Sequence, residues 1–347
     1  MAVAGFARRL PGWWYRKRLA VALWPLLPFS WLFRLLVAGR RVAYRMGVLR
    51  SCSLPVPVVV VGNLTVGGSG KTPLVLWLVR CLREKGWRPG VVSRGYGGSG
   101  EVQPVVPGSG APTVGDEPLL LARRGGVPVF VGRDRVAAAR ALLAAHPDCD
   151  VIVSDDGLQH YRLPRAVELV VFDGRGAGNG RVLPAGPLRE PLSRLSGVNA
   201  VIWNGQPSPR ARRAAGWLPQ FEMRLVGRRF IALGDASRTC DAAELRGRPL
   251  HALAGIGDPR RFFQQLRALG LDFEAHPFPD HHPYTRADLE FAREGVLLTT
   301  EKDAVKCETI AIGEAWVLPV DAVVSAPPGQ SGLIETILEK LHGRPPA

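Results

Sequence analysis

Gly-Asn-Leu-Thr-Val-Gly-Gly-Ser-Gly-Lys-Thr-Pro, residues 62–73, decides how this chain is read. It follows Pro55–Val61, a β-branched apolar run that suits a buried parallel strand, and precedes Leu74–Lys85, where apolar residues recur at helical spacing. Strand, glycine-rich loop, helix is the setting in which a Gly-x-x-x-x-Gly-Lys-Thr loop cradles phosphate. Gly67, Gly68 and Gly70 let the backbone turn its N–H groups inward at the positive end of a helix. Lys71 then reaches β- and γ-phosphates and Thr72 ligates Mg²⁺, which makes ATP and Mg²⁺ the expected cofactors. Thr65 stands where the strict motif has its first glycine. With Val66 and Ser69 filling the loop, the reading rests on Gly67–Thr72 and on context.

The second half of such a site is an acidic residue closing a neighbouring strand. Asp150-Val-Ile-Val-Ser-Asp-Asp-Gly157 supplies it, and either Asp155 or Asp156 is expected on the metal. Further strand-like runs at Gly90–Val92, Val127–Val131, Val167–Phe172 and Val198–Trp203 alternate with helical ones such as Arg133–Ala145. That alternation predicts an α/β fold, a doubly wound and mostly parallel P-loop sheet with ligands at the carboxyl ends of its strands. Residues 204–216 form a polar break, and Phe221–Val226 with Arg229–Leu233 read as a hairpin. The expected partition is a membrane-associating segment (1–50), a kinase domain (51–218), a β-hairpin connector (219–236) and a smaller α/β domain (237–347).

The composition narrows the partners. A net charge of +15 over 347 residues, with arginine far outnumbering lysine, calls for a polyanionic partner or an arginine-rich solvated surface. The five scattered cysteines make neither a disulfide framework nor a zinc motif. There is no Asn-Lys-x-Asp guanine reader, Val66 stands where some assembly ATPases carry a second lysine, and no helix-turn-helix or aromatic-basic motif points to nucleic acid. At the N-terminus, Arg8, Arg9, Arg16, Lys17 and Arg18 interleave with Trp13, Trp14 and Tyr15, ahead of an apolar run from Leu19 to Phe33. The run is shorter than the ~20 residues that span a bilayer, and Pro25 and Pro28 are expected to interrupt a helix there. A basic, tryptophan-bearing flank beside it favours docking at an anionic membrane surface, over a signal peptide, a single span or a helix buried in the core.

Residues 62–73, Ser-Arg-Gly-Tyr-Gly (93–97), Val-Gly-Asp-Glu-Pro (114–118), Ser-Asp-Asp-Gly-Leu-Gln-His (154–160), Leu-Pro-Ala-Gly-Pro-Leu-Arg-Glu (183–190), Phe-Pro-Asp-His-His (278–282) and Thr-Thr-Glu-Lys-Asp (299–303) resemble, in this order, tetraacyldisaccharide 4′-kinase. The resemblance implies phosphoryl transfer to the 4′-hydroxyl of a lipid A disaccharide precursor, by a monomer on the cytoplasmic face of the bacterial inner membrane. It also implies two α/β domains with a β-stranded connector and an N-terminal membrane-associated helix. Thr65 is then ordinary, since the family's loop has threonine there. Asp116, which alone reads equally as a helix cap, becomes the general base, with His281 (His282 being the alternative) paired to it. Glu190 joins the metal or phosphate group, or else pairs with Arg189 or Arg194. Arg94 and Arg189 are the cations for phosphate charge, and Glu117, Gln159 and His160 are expected to shape the same pocket. A nucleotide-switched membrane adaptor without kinase activity is the alternative, requiring Lys71 and Thr72 but neither Asp116 nor His281.

Overall fold

The computed structural model describes residues 10–16, 18–308, 310 and 313–342, so Arg8, Arg9 and Lys17 of the basic cluster lie outside the described residues. Near the N-terminus a 3₁₀ turn, Val21–Leu26, runs into helix α1 (Leu27–Arg45). The prolines do not interrupt it. Pro25 sits in the 3₁₀ turn and Pro28 in the first turn of α1, where its missing N–H has no partner to lose. The resulting 25-residue helical segment is long and apolar enough to cross a membrane by length and composition. It lies mostly exposed, showing Trp24, Phe29, Trp31, Leu32, Leu35 and Leu36 to solvent.

The strands of the body are β1 (Val58–Gly62), β2 (Pro89–Ser93), β3 (Gln103–Pro104), β4 (Val129–Val131), β5 (Val151–Asp155), β6 (Val167–Asp173), β7 (Ala200–Asn204), β8 (Gln220–Val226), β9 (Arg229–Ala232), β10 (Asp235–Asp241), β11 (Leu250–Ala254), β12 (Glu274–Pro277), β13 (Val296–Thr300), β14 (Ala315–Leu318) and β15 (Asp321–Ser325). They form a nine-stranded sheet, β15-β8-β7-β6-β1-β5-β2-β4-β3, and a six-stranded one, β10-β9-β14-β13-β11-β12. The large sheet is parallel from β8 to β4, with antiparallel β15 and β3 on its edges. Its central strand explains the unbroken valine run: Val59 and Val61 enter the core on one face, Val58 and Val60 the core on the other. Helices α2 (Lys71–Glu84), α3 (Asp116–Gly125) and α4 (Arg135–Ala145) cover those faces.

Two expectations are corrected. Phe221–Val226 and Arg229–Leu233 do not pair as a hairpin. β8 buries Phe221 and Met223 in the large core beside β7, whereas β9 gives Phe230 to the smaller core beside β14 and β10. The link between sheets is β-stranded, but its strands part company at Gly227, where a Cβ would strike the carbonyl of Pro319 on the returning chain. The C-terminal region likewise does not stay in the smaller unit. After β13, α5 (Glu301–Cys307) and β14, residues 321–325 pair with β8, and the last helix (Leu333–His342) puts Leu333, Ile337 and Leu341 into the large core.

α1 is fastened to the body by Ser30, which is buried. Its hydroxyl donates to Val182 O and accepts from Ala185 N, both at 2.9 Å, while Trp14 Nε1 donates to Pro184 O at 3.0 Å. Ser30→Ala strands the Ala185 N–H without a partner, at a cost of about 1–3 kcal/mol. Amide exchange at Ala185 should accelerate about tenfold or more in that variant; unchanged exchange would show that α1 is docked by something else.

Candidate active site

The loop after β1 is pinned from both sides. Asn63 Nδ2 donates to Gly67 O at 3.1 Å, Val66 N donates to Pro187 O at 2.9 Å, Arg189 N donates to Leu64 O at 2.6 Å, and buried Thr65 makes a β-bridge with Leu188. Gly70 has φ +90°, and a Cβ there would collide with the Asn204 amide, which donates to Ser69 O at 2.9 Å. Only glycine meets both demands. α2 starts at Lys71, so its first amides and its dipole aim at the loop's concavity.

Lys71, nearly buried, stands 3.7 Å from Asp156 Oδ1. Arg189 Nη1 donates to both Asp156 oxygens at 2.9 Å. Burial alone would raise the Asp156 pKa, but Lys71 and Arg189 outweigh it and hold the carboxyl well below the usual range. Arg135 Nη2 donates to the carbonyls of Asp156 (2.8 Å) and Asp155 (3.4 Å), securing the turn in which Asp156 adopts φ 47°. Asp155 is fully buried at the carboxyl end of β5. Its Oδ2 accepts from Ser93 Oγ at 3.3 Å, its Oδ1 has no partner, and burial, reinforced by Glu117, pushes its pKa up to about 7.

Asp116 is the first residue of α3, behind Gly115, so it is not the helix cap; its carboxylate sits at the positive end of the helix. It is 5% exposed, and its Oδ2 lies 3.1 Å from Nδ1 of His281, carried by the loop that follows β12. Burial raises the Asp116 pKa, yet the His281 hydrogen bond and Lys302 prevail and lower it. His281 is shifted the other way: burial opposes its charge, but Asp116 raises its pKa. Lys302, at the start of α5, ties the group together with Nζ at 2.9 Å from Glu117 Oε1, 3.0 Å from Asp280 Oδ1 and 3.2 Å from His281 Nε2. An ammonium only donates, so on the neutral ring Nε2 accepts and Nδ1–H faces Asp116.

Lys71, Asp155, Asp156 and Arg189 line one cleft of about 820 Å³ together with Asp116 and His281 on its wall. Phe33, Leu36, Val37 and Arg40 of α1 close its far side. A second cavity of about 270 Å³ is lined by Gly68–Thr72, meets the first at Gly68, Lys71 and Glu117, and is made apolar by Leu76, Ile256 and Phe262. The smaller unit reaches the loop directly: Arg175, paired with Asp173, donates to Gly68 O at 2.9 Å and to Gly257 O at 3.0 Å.

Most residues singled out in the sequence meet here. Val66, Gly67, Arg94, Glu117, Gln159, Arg189 and Glu190 all line the cleft. Thr72 faces the second cavity. Glu190 is buried with both oxygens accepting from Tyr161 Oη at 2.8 Å and with Arg194 Nε at 3.3 Å; its ion pair is with Arg194, while Arg189 goes to Asp156. His282 turns away to Asp288 at 3.3 Å. His160 is a correction: it is not on the cleft wall. The turn after Gly157 tucks its ring inward, where burial and the nearby Arg135 lower its pKa to about 4. Arg135, Arg175 and Lys302 were not singled out, although Lys302 stood inside a quoted motif and Arg175 two residues after a strand-closing aspartate.

A sequence profile described as tetraacyldisaccharide-1-P 4′-kinase (LpxK) matches residues 22–342. A tetraacyldisaccharide 4′-kinase of Dechloromonas aromatica (strain RCB) is 57% identical over 334 residues, 96% of each chain. One from Azoarcus sp. (strain BH72) is 55% identical over 349 residues, covering all of this chain and 99% of the relative. The chain belongs to the tetraacyldisaccharide 4′-kinase family. The fold agrees: the crystal structure of the "apo" form of LpxK from Aquifex aeolicus in complex with ATP superposes with a TM-score of 0.75 at 29% identity, covering 91% of this chain and 98% of that one. The activity shared by the family is a kinase reaction of lipid A biosynthesis, and the adaptor alternative falls away.

Asp155 gives a prediction with a definite sign. Its folded pKa of about 7 exceeds its unfolded value of about 3.8, so its charge destabilises the fold increasingly as pH rises from about 4 to 7. Without added metal, Asp155→Asn should therefore be more stable than the parent at pH 8, by on the order of 3 kcal/mol, with the gap closing toward pH 4. Denaturant titrations at pH 5 and 8 measure it, and a pH-independent difference would contradict the assignment.

Proposed function

We propose that this cleft transfers the γ-phosphoryl group of ATP to the 4′-hydroxyl of a tetraacylated glucosamine disaccharide 1-phosphate, with Asp116 as the base. The observation that carries the reading is the Asp116–His281 pair on the wall above Lys71. Asp116 takes the hydroxyl proton as the sugar oxygen attacks phosphorus. The new O–P bond forms as the bond to the ADP oxygen breaks, and the electron pair leaves with ADP. His281 Nδ1–H orients the carboxylate, and Lys302 sets the tautomer that presents that hydrogen. Lys71, Arg189 and Arg94 offset charge on the transferring group.

The orphaned, buried Asp155 Oδ1 and the unpartnered Ser69 hydroxyl fit a site built for a cation and a phosphate. Thr72, Asp155 and Asp156 would hold Mg²⁺, with Glu190 on the wall beside them. When bound, Mg²⁺ offsets the charge of the β- and γ-phosphates. The apolar cavity on the other side of Gly68–Thr72 suits the adenosine end of the nucleotide.

α1 supports a lipid substrate. One side of it lines the cleft, while exposed Trp24, Trp31 and Leu35 have no protein neighbour that removes them from solvent. A multiply acylated substrate leaves the bilayer only at ~0.8 kcal/mol per exposed CH₂, so the cleft must lie at the headgroup plane. We place the chain on the anionic cytoplasmic surface of the inner membrane, α1 docked along the interface.

Two experiments test this. Asp116→Asn should lower phosphorylation of the lipid A disaccharide precursor by about 10²–10⁴-fold while leaving ATP affinity nearly unchanged; full turnover in that variant refutes the base. Replacing Trp31 and Leu35 together by serine should weaken partitioning onto anionic vesicles more than about tenfold, since each side chain forfeits about 1.5–3 kcal/mol if fully inserted. Undiminished vesicle binding would remove α1 from the interface.

A further inference from the structure

Outside both cavities at the phosphate loop, the outer edge of the smaller sheet carries a second cluster of ligating groups. β11 and β12 run parallel with His251 opposite Glu274, and the two-residue period of a strand puts His276 on the same face as Glu274. His251 Nδ1 and His276 Nε2 are 3.2 Å apart. The Glu274 oxygens stand 3.7 Å from the first and 3.8 Å from the second, and the three ligand atoms all lie within 4.8 Å of one another. We propose that His251, Glu274 and His276 form a binding site for one divalent transition-metal ion of the zinc class.

The spacing is the first argument. Two imidazole nitrogens each about 2.0–2.1 Å from a tetrahedral zinc lie roughly 3.3–3.4 Å apart, so the pair needs almost no movement to share an ion. The second is that both rings are already held. His276 stacks on Phe291 with centroids 3.5 Å apart and planes within 8°. His251 lies against the backbone at Gly295, where a Cβ would come within 2.8 Å of Cδ2. The third is chemical. Two imidazoles and one carboxylate favour zinc, copper or nickel, whereas the oxygen-rich Asp155–Asp156 region suits magnesium. Glu274 is 69% exposed, so the site is open to solvent and keeps a coordination position for water.

The place of the cluster gives the ion a structural consequence. β12 is an edge strand whose one sheet neighbour is β11, and it ends at Pro277, just before the loop that carries Asp280 and His281. An ion held by His251 on β11 and by Glu274 and His276 on β12 clips that edge and the start of the loop.

Full-length protein, stripped with a chelator and titrated with ZnCl₂ alone, tests the site. The expected result is one zinc per chain, not displaced by excess Mg²⁺, a higher melting temperature, and tetrahedral visible bands when Co²⁺ replaces zinc. His276→Ala should weaken zinc binding by about 100-fold and Glu274→Gln by about tenfold. The second change is near-isosteric and exposed, so the fold survives it. Absence of zinc uptake by the parent protein overturns the proposal, as does affinity unchanged in either variant, which would place the ion elsewhere.

Discussion

A carboxylate 95% removed from water has to be held ionised by its neighbours if it is to accept a proton, and in this chain those neighbours come from a different sheet. Asp116 sits on the large sheet's α3, at 5% exposure, and burial by itself would drive it toward the neutral form. His281 and Lys302, both from the smaller unit, reverse that shift. The charge state of the proposed base is thus a property of the contact between the two units. Loss of that contact would remove the hydrogen bond and the positive charge that favour the ionised carboxylate.

The same contact is built into the phosphate loop. Arg175 joins the carbonyls of Gly68 and Gly257, and a Cβ on Gly257 would crowd the Gly68 backbone. Both units connect through two adjacent chain crossings, after β8 and after β14, so the cleft is framed by a paired strand link and not by a single flexible tether. Such a frame favours closure about one axis. α1 supplies the remaining wall, which brings the exposed apolar helix and the residues proposed for phosphoryl transfer into one cavity.

Much of this was legible in the residues. The valine run of β1, the glycines at 67, 68 and 70, and the aspartates closing β5 follow local rules of period, turn and charge, and the structure places them as those rules require. What failed was long-range. β8 and β9 alternate as hairpin strands do, but alternation names a buried face and not a partner, and the two faces serve different cores. Pro28 read as a breaker because its position relative to the helix start depends on where the helix begins. His160 shares a motif with Gln159, yet successive residues in a turn need not share a direction. Lys302 lies 21 residues from His281 and 185 from Glu117, so no spacing argument links them; only the sheet order does.

The dependence of Asp116 on partners from the other unit is open to direct measurement. The pH profile of kcat, taken with saturating ATP and lipid acceptor, compares the parent with His281→Ala. Without the histidine's hydrogen bond, burial regains ground and the pKa of Asp116 rises, so the acidic limb of the profile should move to higher pH while kcat falls. An acidic limb at the same pH in both proteins would contradict the account, because Asp116 would then owe its ionisation to something other than the residue facing it.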